Sequence, residues 1–249
     1  MTILTPESLH TLIQKYPSLT NTWHLILIST LTQINLPEEI PTIITYLQDH
    51  DNNYTRLIPR IQDALLKVSM FCGMPKAINS FMTLKSVLPE DYLSSMTSNR
   101  ENITEEGPNG EDTINGKLSI ESIMKDRIAD DLIRGSRYFE KMYGDDSGRR
   151  EDMIEASPDL WNYFHHHVNS PLLSYDAVLD NKDTSLCLIG CIVPQDVNEM
   201  LKVELQGAVN HGATKEEVND TVRFVIEACE LVEENELWEN GKESVPMLE

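Results

Sequence analysis

The densest group of reactive side chains lies in LCLIGCIVPQDVNEMLKVELQGAVNHGATKEEV, Leu186 to Val218, with two cysteines, one histidine and several carboxylates. Cys187 and Cys191 form a C-x-x-x-C pair. Four residues apart on a helix, the two sulfurs share a face, yet a regular helix strains a disulfide between such positions. No lysine or arginine stands beside them, and Leu186, Leu188, Ile189 and Ile192 give them apolar neighbours. Apolar burial raises a thiol pKa and quenches its nucleophilicity, so both are expected to pack as small hydrophobes. His211 falls at a helix end, where a charged imidazole would favour the helix dipole. His165, His166 and His167 are consecutive; on a helix they point in three directions and cannot converge on one ion. His24, beside Trp23, reads as a satisfied helix-face residue. The chain has no glycine-rich phosphate cradle, no G-x-S-x-G elbow and no H-E-x-x-H. No metal and no cofactor are expected.

The elements that must position these residues read as helices throughout. Thr5-Pro6-Glu7 supplies a cap, a proline at the first helical position and an early acid, opening a helix to about Lys15. Ser18 or Thr20 starts a second through Trp23, Leu27 and Leu31. Leu36-Pro37-Glu38-Glu39 starts a third, with Ile40, Ile43, Ile44 and Leu47 on one face. Ile58 to Phe71 is a fourth, with Ile61, Leu65 and Val68 at helical spacing. Gly73 ends it, and Pro75 begins a fifth, Lys76 to Val87. Ser98 to Gly116 is polar and rich in Gly, Asn and Glu, a linker. Ser119 restarts a helix to about Tyr143, GDDSGRRED breaks it, and Ser157-Pro158-Asp159 starts another ending near Asn169. Asp183 to Val193, Gln195 to His211 and Thr214 to Leu231 complete the set. No alternating strand pattern is convincing. The fold class is therefore all-α, with an N-terminal helical half over 1–97, a polar linker over 98–118 and a C-terminal helical half over 119–249.

The bulk numbers bound the partners. The 249 residues, 40% hydrophobic and 24% charged, suffice for a globular core. The net charge of −21 repels phosphate backbones and anionic lipid, so neither nucleic acid nor a membrane is expected as a partner. Four dispersed cysteines in apolar runs fit a reducing compartment. MTILTPESLH lacks a basic start and an apolar block, so the chain does not read as secreted. The longest apolar run, around WHLILISTL, is too short to span a bilayer.

The two halves also resemble each other. Leu25 to Leu47 slides onto Ser185 to Gly207, placing Glu39 on Glu199, and IQDALLKVSMFC overlays VNDTVRFVIEAC, placing Cys72 on Cys229. A repeated helical unit of this kind would pack as a pseudo-symmetric pair.

The stretch SLCLIGCIVPQDVNEMLKVELQGAVNHGATKEEVNDTVRFVIEACE resembles the carboxymuconolactone decarboxylase family, which includes the alkylhydroperoxidase D (AhpD) type. Asn210-His211-Gly212-Ala213-Thr214-Lys215-Glu216-Glu217-Val218 is similar to that family's NGAT-x-EE-[IV] corner. Gly212 suits the left-handed end of one helix, and Thr214 with Glu217 suits a capping box on the next. RGSRYFEKMYG, Arg134 to Gly144, and RIQDALLKVSMFCGMPKAIN resemble runs in fungal members. The resemblance implies an AhpD-like helical fold of two related halves and a homo-oligomer, a dimer or a trimer of pseudo-dimers. It also implies a fungal-type intracellular protein, cytoplasmic or mitochondrial.

The family's chemistry does not transfer whole. Its redox branch uses C-x-x-C, and those two positions fall on Val197 and Met200. Its decarboxylase branch uses a histidine and an upstream glutamate, which fall on Glu204 and Ser185; His211 takes an asparagine position. The expectation is therefore a carboxymuconolactone decarboxylase-like protein without the redox dithiol or the usual acid–base histidine, acting as a binding or assembly protein or as an enzyme of unnamed reaction. One alternative is a lyase or isomerase of a small carboxylated substrate, with Asp183 standing in for the glutamate and sharing a proton with Glu204 if the two are buried together. The other is a thiol peroxidase using Cys187 and Cys191.

Overall fold

The computed structural model describes residues 3–100, 125–144, 148–232 and 236–249. Every regular element among them is helical, as the periodicity requires. Thr5 caps α1 (Pro6–Lys15): its Oγ1 accepts the Ser8 N–H at 3.2 Å, and Ser8 Oγ accepts the Thr5 N–H at 3.0 Å. There follow α2 (Trp23–Gln33), α3 (Ile40–His50), α4 (Ile58–Cys72), α5 (Met74–Ser86) and α6 (Glu90–Ser95). Then come α7 (Lys125–Tyr143), α8 (Arg149–Ala156) and α9 (Pro158–Tyr163), which runs into a π-helix, Phe164–Leu173. The last three are α10 (Asn181–Ile192), α11 (Asn198–Asn210) and α12 (Lys215–Val232).

Two helices without a polar face form the centre. Residues 23–32 of α2 and 183–192 of α10 are buried on every side, the signature of a helix surrounded by others. They lie against each other, and α4 and α12 each touch both. Gly190 permits the approach: a Cβ there would sit 3.0 Å from the Ile26 carbonyl oxygen. Thr30 Oγ1 donates to the Gly190 carbonyl at 2.9 Å, so a buried hydroxyl becomes a cross-helix tie. The amphipathic α4 turns Ile61, Ala64, Leu65 and Val68 inward, and α12 turns Val218, Val222, Val225 and Cys229. Each fully buried Ile or Leu of this layer contributes about 1.5–3 kcal/mol.

The termini are strapped on. Glu39, 1% exposed, accepts the N–H groups of Ile3 and Leu4 at 2.8 and 2.9 Å. At the other end Trp238 Nε1 donates to the Val193 carbonyl at 2.9 Å, and Asn219 exchanges two hydrogen bonds with the Leu248 backbone. No helix among the described residues is long and apolar enough to cross a membrane.

Several boundaries differ from expectation. The second helix begins at Trp23, after a separate 3-10 turn at Pro17–Leu19. The helix expected from Ser157 to Asn169 widens to π geometry at Phe164, with Pro171 inside it, a residue that cannot supply a backbone N–H. Arg149 to Asp152, read as part of a break, open a helix, Arg149–Ala156. Most of the expected 98–118 linker and the helix start at Ser119 lie outside the described residues.

Candidate functional site

A group of buried polar side chains gathers around α11, which packs against both α7 and α10. On α11, Leu201, Glu204, Leu205 and Ala208 form the inward face, so helical spacing that brings two leucines into the core also carries a carboxylate there. Gly207 makes room for α7: a Cβ at this position would lie 2.8 Å from Met142 Cγ. α7 contributes Tyr138 and Tyr143, α10 contributes Ser185, and His211 caps α11.

These side chains form one cluster. The Tyr143 hydroxyl reaches Glu204 Oε1 at a long 3.5 Å. Ser185 Oγ and His211 Nδ1 are 2.9 Å apart, and the His211 ring lies 4.5 Å from that of Tyr138, centroid to centroid. Glu204 Oε2 is buried with no hydrogen bond, and the Tyr138 hydroxyl, which has none of good geometry, lies close to Ser185. His211 Nε2 also lacks one of good geometry, although the Tyr138 carbonyl lies close enough to oppose its pKa shift. An unpaired buried polar atom such as Glu204 Oε2 costs about 1–3 kcal/mol, a feature that stability alone does not favour.

Burial sets the protonation states. Glu204 is pushed up to about 7 by desolvation, with Tyr143 and Arg149 opposing. His211 is pushed down to about 4, chiefly by desolvation. Tyr138 and Tyr143 are both raised, by desolvation first and the Glu204 charge second, and stay neutral hydroxyls. Near neutrality Glu204 is therefore poised between its two forms and His211 is neutral; Tyr138 relates them, feeling the Glu204 charge and packing against the His211 ring.

A cavity of about 390 Å³ opens onto His211 and is lined also by Lys141, Asp180 and Lys182. A larger cavity, about 940 Å³, lies elsewhere, between α1, α12 and the C-terminal strap. Its polar lining is engaged: Lys15 pairs with Glu227 at 2.6 Å, and Lys242 pairs with Glu230. Of the cluster, His211 alone lines the smaller opening.

The other candidate residues lie apart from this cluster. Asp183 does not join Glu204. Two residues apart on α10, Asp183 and Ser185 point to opposite sides; Asp183 pairs with Arg60 of α4 while Ser185 faces His211. Burial raises the Asp183 pKa, and the Asp180 charge adds to this, against Arg60 and Lys182. Cys187 and Cys191 are buried thiols with no bond between them. Cys187, pushed up to about 12 by desolvation, meets Ser29 of α2, and Cys191 Sγ donates to Gln33 Oε1 at 3.8 Å. Of the three consecutive histidines, His165 stacks on Trp161 at 4.9 Å, and no group of metal-ligating side chains occurs among the described residues. His24 is not fully satisfied: its Nε2 is buried without a partner, and desolvation takes it down to about 3.

Sequence reasoning missed the two tyrosines and a buried cation. Lys67 Nζ, wholly enclosed, donates to the carbonyls of Tyr175 and Leu179 and to Thr184 Oγ1, at 2.7, 3.3 and 2.7 Å. Asp63 lies 3.3 Å from it and is itself met by Arg100 at 2.6 Å. This network fixes the loop that leads into α10, and so the placement of Ser185. Its only sequence signal is a lysine on the apolar side of an amphipathic helix.

Two curated proteins, both named Peroxisomal protein 2, are similar to this chain along most of its length. The one from Saccharomyces cerevisiae is 29% identical over 258 residues, covering 87% of this chain and 90% of that protein. The one from Schizosaccharomyces pombe is 29% identical over 221 residues, covering 88% and 91%. No family model matches the chain, and no solved structure matches it.

Proposed function

We propose that this chain is a peroxisomal, AhpD-like helical enzyme that moves a proton on a small carboxylated substrate, a lyase or isomerase working without the family's redox dithiol. The observation that carries the reading is the single buried cluster of Glu204, Tyr143, Tyr138, Ser185 and His211. The positions that the resemblance assigns to a histidine and a glutamate, here Glu204 and Ser185, both belong to it. A carboxylate thus stands at the histidine position, a serine at the glutamate position, and the imidazole comes from His211, at an asparagine position of the resemblance. Glu204, with its pKa near neutrality, is the acid–base group. His211 and the two tyrosine hydroxyls are the hydrogen-bond partners for an oxyanion, and Lys141 at the cavity mouth attracts a carboxylate, Lys182 being held by Glu217 at 2.9 Å. The name of the two relatives supports the peroxisome over the cytosol or the mitochondrion. The flanking of α2 and α10 by α4 and α12 supports two related halves.

The test is a panel of small keto-acids and unsaturated carboxylated lactones, assayed for turnover with the wild-type chain and with Glu204→Gln. A substrate whose kcat/KM falls about 100-fold or more in the variant supports the reading. Absence of turnover across the panel, or equal turnover by the variant, overturns it.

A binding and assembly role is favoured by a different observation. Met74, Ile78 and Met82 recur at four-residue spacing on α5 and are 51–57% exposed. A polarizable apolar stripe of this kind fits a second copy of the chain. A concentration-dependent dimer in light scattering, lost in Ile78→Glu, supports that role; a monomer at all concentrations removes it.

A further inference from the structure

A third opening, of about 540 Å³, lies between α7, α8, α9 and the π-helix. Phe139 and Glu140 reach it from α7, Arg150 and Glu151 from the first turn of α8, Trp161 from α9 and His165 from the start of the π-helix. Three of these are rings that hold one another in place. Phe139 meets Trp161 edge-on, with centroids 5.2 Å apart and planes at 80°. His165 lies parallel to Trp161, 4.9 Å away with the planes only 7° apart. Both arrangements are favourable for aromatic pairs. The widening to π geometry at Phe164 accompanies this stack, and such segments recur at functional sites.

The lining selects for positive charge. The Arg150 guanidinium carbon lies over the Trp161 ring, 5.7 Å from its centroid, within the range of cation–π attraction. The Trp161 face is thus already met by a cation of the chain itself. Glu140 and Glu151 line the same opening, and the net charge of −21 draws cations toward the surface and repels anions. His165 adds no opposing charge: burial, aided by His166 and Arg150, holds its pKa below 6.5. Ring faces supply attraction without hydrogen-bond acceptors, which suits a methylated ammonium, a cation with no N–H to satisfy.

We propose that this opening binds a small organic cation with a quaternary ammonium head, of the chemical class of choline. Trp161 meets the charge, Phe139 and His165 hold the indole, and Glu140 and Glu151 supply the opposite charge. Arg150 is the resident competitor, which leaves the Trp161 face when the ligand takes it. The volume lies within the range of small-molecule sites. None of these residues belongs to the Glu204 cluster, so each reading stands or falls without the other.

The chain has three tryptophans, so nitrogen-15 NMR of the full labelled chain reads three indole N–H signals. Trp23 and Trp238, 6% and 3% exposed, serve as internal references. Choline shifts the Trp161 signal, assigned by its loss in Trp161→Phe, and leaves the other two in place. The uncharged carbon analogue of choline, with a tert-butyl group for the trimethylammonium, binds about tenfold more weakly or worse. Pivalate, an anion of similar size, causes no shift. Arg150→Gln removes the competitor and tightens choline binding about threefold or more. No movement of the Trp161 signal at up to about 50 mM choline overturns the proposal. So does equal binding of the uncharged analogue, a shift with pivalate as large as with choline, or weaker choline binding in Arg150→Gln. A trimethyllysine peptide that binds more tightly than choline overturns the assignment to a small molecule.

Discussion

Replacing Glu204 with glutamine removes one titration from the core, and its effect on stability can be worked out with its sign. The folded-state pKa of Glu204 is raised from 4.5 to about 7 by desolvation. A folded state that binds the proton more tightly than the unfolded chain loses stability as pH rises. The favourable contribution is complete below about pH 4.5 and is lost by the time the pH passes about 7. The difference of about 2.5 units corresponds to about 3 kcal/mol, undiminished by solvent screening because the group is wholly buried. His211 and His24 act in the opposite sense. Their pKa values fall from 6.5 to about 4 and about 3, so their contribution is present above pH 6.5 and lost as pH falls. The wild-type profile mixes these trends, and the difference between wild type and Glu204→Gln isolates the carboxyl. Urea unfolding followed by far-UV circular dichroism at intervals from pH 4.5 to 8 supplies it. With a denaturant slope of about 2–3 kcal/mol/M, the midpoint of the wild type falls by about 1 M relative to the variant across that range. Parallel profiles from pH 5 to pH 8 would refute the reasoning, because they would mean that Glu204 is hydrated or paired in the folded protein.

Four further substitutions probe the parts that hold the site. Gly135→Ala places a Cβ 2.5 Å from the Ser170 Cα, which forces α7 off the π-helix and lowers stability by about 3 kcal/mol, read from thermal unfolding. Lys67→Met leaves Asp63 with Arg100 but deprives two carbonyls and Thr184 of their donor; a loss of about 3–5 kcal/mol is expected in urea unfolding. Thr214→Ala removes the acceptor of the Glu217 N–H at 3.1 Å and costs about 1 kcal/mol in the same measurement. Glu39→Ala frees the N–H groups of Ile3 and Leu4; their amide exchange quickens at least tenfold, with a global loss of about 1–3 kcal/mol.

Local features were the legible ones. The Thr5 cap, the Thr214–Glu217 box and the apolar runs of α2 and α10 depend on neighbours within one turn, and each is seen in the structure. The composition of the candidate site depends on how one helix is rotated against another, which no single stretch encodes. Asp183 and Glu204 looked like partners because both carry carboxylates in one segment, but the 100° turn per residue sends Asp183 toward Arg60. Tyr138 and Tyr143 come from a helix some sixty residues upstream of Glu204, and only Gly207, as a point of close approach, hinted that another helix must lie there. The same blindness applies to Phe139, Arg150 and Trp161, which come from three helices to one opening, while the conspicuous Cys187 and Cys191 are not bonded to each other. The π-helix had a signal in Pro171, which cannot continue an ordinary hydrogen-bond ladder.

The central claim is that Glu204 is a buried carboxyl poised to exchange a proton near neutral pH. Carbon-13 NMR of chain labelled at the glutamate carboxyl carbons, titrated from pH 3 to pH 9 and assigned by the signal missing in Glu204→Gln, tests it directly. A Glu204 midpoint near 7, far from the bulk of the glutamates, is the predicted result; a midpoint within the ordinary carboxylate range of about 4–4.5 would contradict it.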